Sequence, residues 1–193
     1  MNASSLLAHT SLKPSESFVA SAASTAIADS AAAFDEPRWR GAATKAARFL
    51  LDHLRVDGRL QRTWKDGRAH IPAFADDHAF FVNALVDVFE ATFDFDWLAE
   101  ANAMADTTVR LFWDDQDGGL YYTGTDAEVL LARSKHRLGG AEPSANGVAA
   151  LAFAVLAFAV PAFPLATVVR AAVLSLALLW VWPNTAPLRY RHL

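Results

Sequence analysis

Two short segments of the chain repeat each other. Asp57-Gly58-Arg59-Leu60-Gln61-Arg62-Thr63 and Asp117-Gly118-Gly119-Leu120-Tyr121-Tyr122-Thr123 share Asp, Gly, Leu and Thr at an offset of 60 residues. The match extends backward, with Phe34-Asp35 against Phe93-Asp94 at an offset of 59 and Trp39 against Trp97 at 58. Apolar residues around these turns recur at helical spacing. After a start at Asp35-Glu36-Pro37, a first helix buries Ala42, Ala43, Ala46, Phe49, Leu50 and Leu54. A second, from about Asp76 to Thr92, buries Phe80, Phe81, Ala84, Leu85, Val88 and Phe89. A third, from about Asp96 to Trp113, buries Trp97, Ala101, Met104, Ala105, Thr108 and Phe112. Each unit then reads as helix, turn, helix and small hairpin. One such helix pair cannot bury its apolar face without neighbours, so the pattern predicts an all-α stack or a closed α/α ring. The hairpins favour the ring, where inner helices converge and their loops gather at one mouth. Six pairs would need about 360 residues, so this chain supplies about three, a partial (α/α)6 toroid. Its two apolar flanks invite self-association or completion by another chain.

Charge and composition divide the chain further. Every one of the 21 acidic residues lies at or before Glu142, and beyond it only Arg170, Arg189 and Arg191 are charged. Residues 1–24 read as a low-complexity lead-in without the basic start of a secretory signal. Residues 25–158 are assigned to the partial toroid and 159–193 to a divergent apolar tail. The uncharged run Val148 to Val169 is long enough to span a bilayer. Pro161, Pro164 and Arg170 interrupt it, so buried core helices compete with a membrane segment over 148–182 and with a tail that has lost the pattern of its fold. A cytoplasmic location is the expectation, with a membrane-anchored protein as the alternative. The net charge of −4 argues against nucleic acid as a partner. The absence of Cys removes disulfide, thiolate-metal and thiol redox chemistry from this chain. The six His form no metal-binding motif, and no dinucleotide or phosphate loop occurs, so neither metal nor cofactor is expected.

Several runs, in order, resemble a known family. They are Phe34-Asp35-Glu36-Pro37-Arg38-Trp39, Asp57-Gly58-Arg59-Leu60, Thr63-Trp64-Lys65-Asp66-Gly67-Arg68, Phe74-Ala75-Asp76-Asp77-His78-Ala79-Phe80 and Gly139-Gly140-Ala141-Glu142-Pro143-Ser144-Ala145-Asn146. From about Ile27 to Leu156 the chain is similar to the carboxy-terminal region of YyaL-type thioredoxin-domain-containing proteins, the spermatogenesis-associated protein 20 group. That resemblance implies a toroid like those of N-acylglucosamine 2-epimerases and six-hairpin glycosidases, behind a thioredoxin-like domain that this chain does not include. Gly139, Ala145 and Gly147 depart from the family's Asp-Gly-Ala-x-Pro-Ser-Gly-Asn-Ser pattern, and the likeness stops after Leu156. A truncated or frame-shifted gene product is the reading this suggests.

Candidate chemistry concentrates at the start of the second helix. Asp76, Asp77 and His78 pair carboxylates with an imidazole, which is workable acid–base equipment, and Asp77 and His78 are the catalytic candidates. The plain alternative is a helix cap, since Asp is favoured where orphan amides need acceptors. Trp64, Arg68, Asp76, Tyr122 and Asn146 are the substrate-binding candidates, with aromatic faces to stack on a sugar ring. Against this, Trp64 and Tyr122 could cover a rim, and Ser144 and Asn146 could cap a helix. Asp114, Asp115 and Asp117 read as turn formers, and the calcium-loop spacing from Asp115 is not completed. Two functions follow: a carbohydrate-binding or carbohydrate-active toroid, epimerase- or glycosidase-like and inactive alone, or a non-catalytic helical interaction module. The first requires Trp64, Asp77, Tyr122 and Asn146 to meet on one concave face.

Overall fold

Pro37 has no backbone donor to lose, which suits the first turn of a helix. Helix α1 spans Pro37–Phe49 in the computed structural model, which describes residues 18–19, 37–127, 132–135 and 143–160. It passes into a π-helical turn, Leu50–Leu54, that buries Leu50, Leu51 and Leu54. A small antiparallel sheet follows, built around β3 (Arg59–Lys65). It pairs with β1 (Phe18–Val19), β2 (Arg55–Val56) and β4 (Arg68–Pro72). Both hairpin turns use an Asp-Gly pair in the left-handed region, Asp57-Gly58 at φ 50° and 76° and Asp66-Gly67 at φ 51° and 75°. Left-handed backbone at both central positions matches the twist of paired strands, and Asp-Gly is one of the few pairs that tolerate it well.

Three further helices complete the described fold: α2 (Ala75–Thr92), α3 (Phe95–Phe112) and α4 (Ala145–Ala159). Asp94 caps α3 by accepting from the Asp96 N–H at 3.1 Å, and Ser144 caps α4 by accepting from the Gly147 N–H at 3.2 Å. Helix α2 is central, packing against α1, α3 and α4. Its burial is therefore wider than one amphipathic stripe. Val82 and Val86 join the core, while Phe80 and Phe89, expected inside, are half-buried. On α3 the expected set Trp97, Ala101, Met104, Ala105, Thr108 and Phe112 is buried, with Leu98 and Leu111 added.

The leading part of the uncharged run becomes α4. Ala145, Ala149, Ala152, Phe153, Leu156 and Ala157 are buried in the core, while Leu151 and Phe158 face outward. Among the described residues no helix is long and apolar enough to cross a membrane. The tail from Pro161 onward lies outside the described residues, as does the lead-in apart from Phe18 and Val19.

The segment around Asp117 forms a single antiparallel bridge, Trp113 to Leu120, where a full hairpin was expected. Leu120 is nevertheless buried, as Leu60 is. Gly118 and Gly119 turn the chain at φ 68° and 78°. A Cβ on Gly119 would stand 2.9 Å from the Asn146 Oδ1, whereas one on Gly58 would meet nothing within 4 Å. Left-handed strain alone costs about 1–2 kcal/mol. Gly119→Ala is therefore expected to destabilise the chain more than Gly58→Ala in urea unfolding, by an extra ~1 kcal/mol or more from overpacking. Equal losses would show that Asn146 yields freely.

Candidate functional site

The start of α2 is where the small sheet, α3 and the second turn converge. The Ala75 N–H donates to the Tyr122 carbonyl at 3.0 Å, and the Ala73 N–H to the Leu60 carbonyl at 3.0 Å. These bonds bring Tyr122 over Phe74, with ring centroids 4.7 Å apart and planes within 13°. Asp77 is fully buried, and its Oδ2 accepts from the Phe74 N–H at 2.9 Å, closing the helix start. Asp76 accepts from the Asp77 N–H through Oδ1 at 3.0 Å. Asp76 thus satisfies a backbone amide, as the cap reading had it, and Asp77 goes beyond that reading by closing the helix start itself.

A second role for Asp77 comes from β3. The Arg62 Nη1 lies 3.7 Å from the Asp77 Oδ2, and the guanidinium sits 5.0 Å from the Phe74 ring centroid. The Tyr122 side chain is close enough to act on the same guanidinium. Partial burial opposes the Arg62 charge, but Asp77, then Tyr122 and Asp76, raise its pKa above the ordinary value. Arg62, Phe74, Asp77 and Tyr122 therefore form one polar–aromatic cluster, with Asp76 close enough to act on the Arg62 charge.

His78 faces a different set. It is fully buried, its Nε2 lies 2.7 Å from the Arg59 Nη1, and its Nδ1 lies 3.2 Å from the Thr108 Oγ1. Arginine can only donate, so Nε2 must be the bare, accepting nitrogen. The ring proton is then on Nδ1 and is donated to Thr108, whose hydroxyl in turn donates to the Met104 carbonyl at 2.8 Å. Burial, then the Arg59 charge, lowers the His78 pKa to about 3. Arg59 also donates to the Ala73 carbonyl at 2.9 Å and pairs with Asp126 at 2.7 Å. His78 and Arg59 lie against Phe112 on α3. The imidazole is neutral across the ordinary pH range and both its nitrogens are engaged, which is the position of an orienting group.

The remaining candidates lie elsewhere. Trp64 turns its ring edge-on to Phe49 at 5.8 Å and His53 at 5.1 Å, covering the end of α1. Arg68 is exposed where β4 leaves the Asp66-Gly67 turn, paired in register with Lys65. The Asn146 side chain accepts from the Leu120 N–H at 2.6 Å and donates to the Leu120 carbonyl at 3.2 Å, so it clamps the second turn. Of the four residues required on one face, Asp77 and Tyr122 come together beside Arg62, while Trp64 and Asn146 are engaged in packing and turn closure, so the four-residue face that the sequence reading required is not formed. Asp114 is a turn former, accepting from the Gln116 N–H at 2.9 Å. It also pairs with Lys135, whose hydrogen bond holds the Asp114 carboxyl below the usual range. Sequence reasoning missed Arg59, Arg62 and Phe74 as site residues. The Asp-Gly-Arg-Leu run was the available signal, because a turn that fixes Leu60 in the core also fixes the arginines beside it. Among the described residues no three His, Asp or Glu side chains lie together as a metal site.

Comparison with known proteins gives this geometry a context. No family profile matches the sequence. Human spermatogenesis-associated protein 20 is 40% identical over 121 residues, covering 56% of this chain and 15% of that protein. This chain is similar to one segment of spermatogenesis-associated protein 20. An uncharacterised protein of Caenorhabditis elegans is 27% identical over 126 residues, 61% of this chain and 17% of its own length. The chain thus spans about a sixth of the curated relatives it matches. Among solved structures, cellobiose 2-epimerase from Spirochaeta thermophila superposes with a TM-score of 0.59 at 20% identity, covering 79% of this chain and 41% of the epimerase. At that identity the likeness speaks for the fold, an α/α toroid of which this chain supplies part. The expected resemblance to the spermatogenesis-associated protein 20 group and the toroid fold class both hold.

The neutral His78 makes stability depend on pH with a definite sign. Its folded pKa of about 3 lies below the ordinary value of 6.5, so between them the unfolded chain binds the extra proton. Stability contributed by the neutral ring is present above pH 6.5 and is lost progressively as the pH falls through this window. The slope approaches about 1.4 kcal/mol per pH unit for one proton. Urea unfolding from pH 7 to 5 should show stability falling with a slope that steepens toward that value below pH 6.5, and His78→Gln should flatten it. Parallel curves for the two proteins would remove His78 from the account.

Proposed function

We propose that the chain is part of a carbohydrate-binding α/α toroid of a protein similar to spermatogenesis-associated protein 20, with no turnover of its own. The cluster of Arg62, Phe74, Asp77 and Tyr122 at the start of α2 carries this reading. Its components suit a polyhydroxylated ring: aromatic surface to lie against C–H groups, guanidinium N–H groups to donate to hydroxyls, and Asp76 as a half-buried acceptor. Arg62 and Tyr122 are the contacting groups in this proposal. Asp77 is a positioning residue, because its buried carboxylate fixes Arg62 and the helix start together. His78 holds Arg59 and the hairpin in place and moves no proton. Trp64, Arg68 and Asn146 fall outside the contacting set, so the site proposed here is not the four-residue face expected from the sequence but a smaller one built on Arg62. The fold shared with a cellobiose epimerase supports a sugar as the ligand class, and a spectator packing role for the cluster is the competing reading.

Isothermal titration of the purified chain with cellobiose and with glucose tests this. Saturable binding weakened at least tenfold, roughly 1.4 kcal/mol, by Arg62→Ala and by Tyr122→Ala is expected. Tyr122→Phe should lose less, because the stacked ring remains. An absence of saturable binding, or binding indifferent to both alanine variants, would favour the non-catalytic helical module.

A further inference from the structure

The opposite end of α2 carries a feature that the sugar-binding reading does not use. The turn into α3 places Phe93 at φ 53°, in the left-handed region, where a helix end ordinarily has Gly or Asn. A side chain there costs about 1–2 kcal/mol. Phe93 recovers little of that by burial, since it is 76% exposed, and its neighbour Phe95 is 71% exposed. They are the most exposed large apolar side chains among the described residues. Both gather around the half-buried Phe89, at centroid distances of 6.3 Å and 5.4 Å, so they form one patch. The left-handed backbone closes α2, with the Phe93 N–H donating to the Phe89 carbonyl at 2.7 Å, but Gly would close it without strain and the exposed ring adds nothing to that cap. The ring is accounted for if another surface covers it.

The surroundings of the patch specify its partner. Glu90, Asp94 and Asp96 are all exposed and alternate with the phenylalanines along the turn. Among the described residues Arg40 reaches this turn, its guanidinium donating to the Ala91 carbonyl at 3.3 Å and so engaged with the backbone. The tip is therefore apolar at its centre and acidic at its rim. We propose that it is a docking surface for a basic amphipathic segment of another polypeptide, with aliphatic side chains set on Phe93 and Phe95 and Lys or Arg opposite the three acids. An 18-residue α2, about 27 Å long, separates this surface from the cluster around Arg62, so the two are independent.

The test is amide NMR of the isotope-labelled chain, titrated with an amphipathic Leu/Lys helical peptide and, separately, with its Leu/Glu counterpart. The proposal expects saturable shifts confined to the turn between Phe89 and Asp96, with the Leu/Lys peptide alone. Phe93→Gly removes the ring and relieves the strained backbone, so it should leave Tm unchanged or raised while weakening the peptide at least tenfold. No saturable shift, shifts elsewhere, or equal response to the Leu/Glu peptide would overturn the proposal. Concentration-dependent shifts at the turn without peptide would overturn it too, because a second copy would then be the occupant.

Discussion

The contact between Arg59 and His78 is what the site end of this fold depends on. One guanidinium reaches the His78 ring, the Ala73 carbonyl and the Asp126 carboxylate, tying β3 to the start of α2 and to the loop after the second turn. The same imidazole passes its other hydrogen bond to Thr108 on α3. Buried polar groups are costly unless every one is matched, and here each donor has its acceptor in sequence from Arg59 to Met104. The arrangement tolerates one tautomer and one charge state of His78. This is how four segments distant in sequence are held in a single register.

Because that register is fixed, the residues next to it are placed as well. Arg62 lies three positions after Arg59 on the same strand, and Asp77 immediately precedes His78 on the same helix. Their meeting, with Phe74 and Tyr122 around them, follows from the network below. The fold shared with an epimerase and the sequence shared with spermatogenesis-associated protein 20 locate this cluster in a part of an α/α toroid. Its carbohydrate role is a proposal that rests on the chemistry of four side chains.

Helices were legible where one periodic stripe met chiefly one neighbour, as in α3, which packs mainly on α2 and whose expected core residues are all buried. On α2 the reading was narrower than the fact, because a helix packed on three others buries Val82 and Val86 as well. The Asp-Gly turns were legible from the need for left-handed backbone, which only a few residue types meet. Asp77 and Tyr122 were both singled out and lie close together, but what joins them was not foreseen. That connection is Arg62, and nothing in a periodic pattern tells which exposed-looking arginine will turn inward to a buried carboxylate. Trp64 and Asn146 looked like ligand groups because aromatic and amide side chains serve packing and turn closure with the same chemistry. Phe93 is the converse, an apolar residue whose position in the left-handed region no amphipathic pattern anticipates.

The most direct measurement is the protonation state of His78 by long-range proton–nitrogen NMR of its imidazole. The account predicts a proton on Nδ1, a bare Nε2 and a ring that stays neutral to below about pH 5. A proton on Nε2, or a titration midpoint near the ordinary histidine value, would contradict the Arg59–His78 contact and the register built on it.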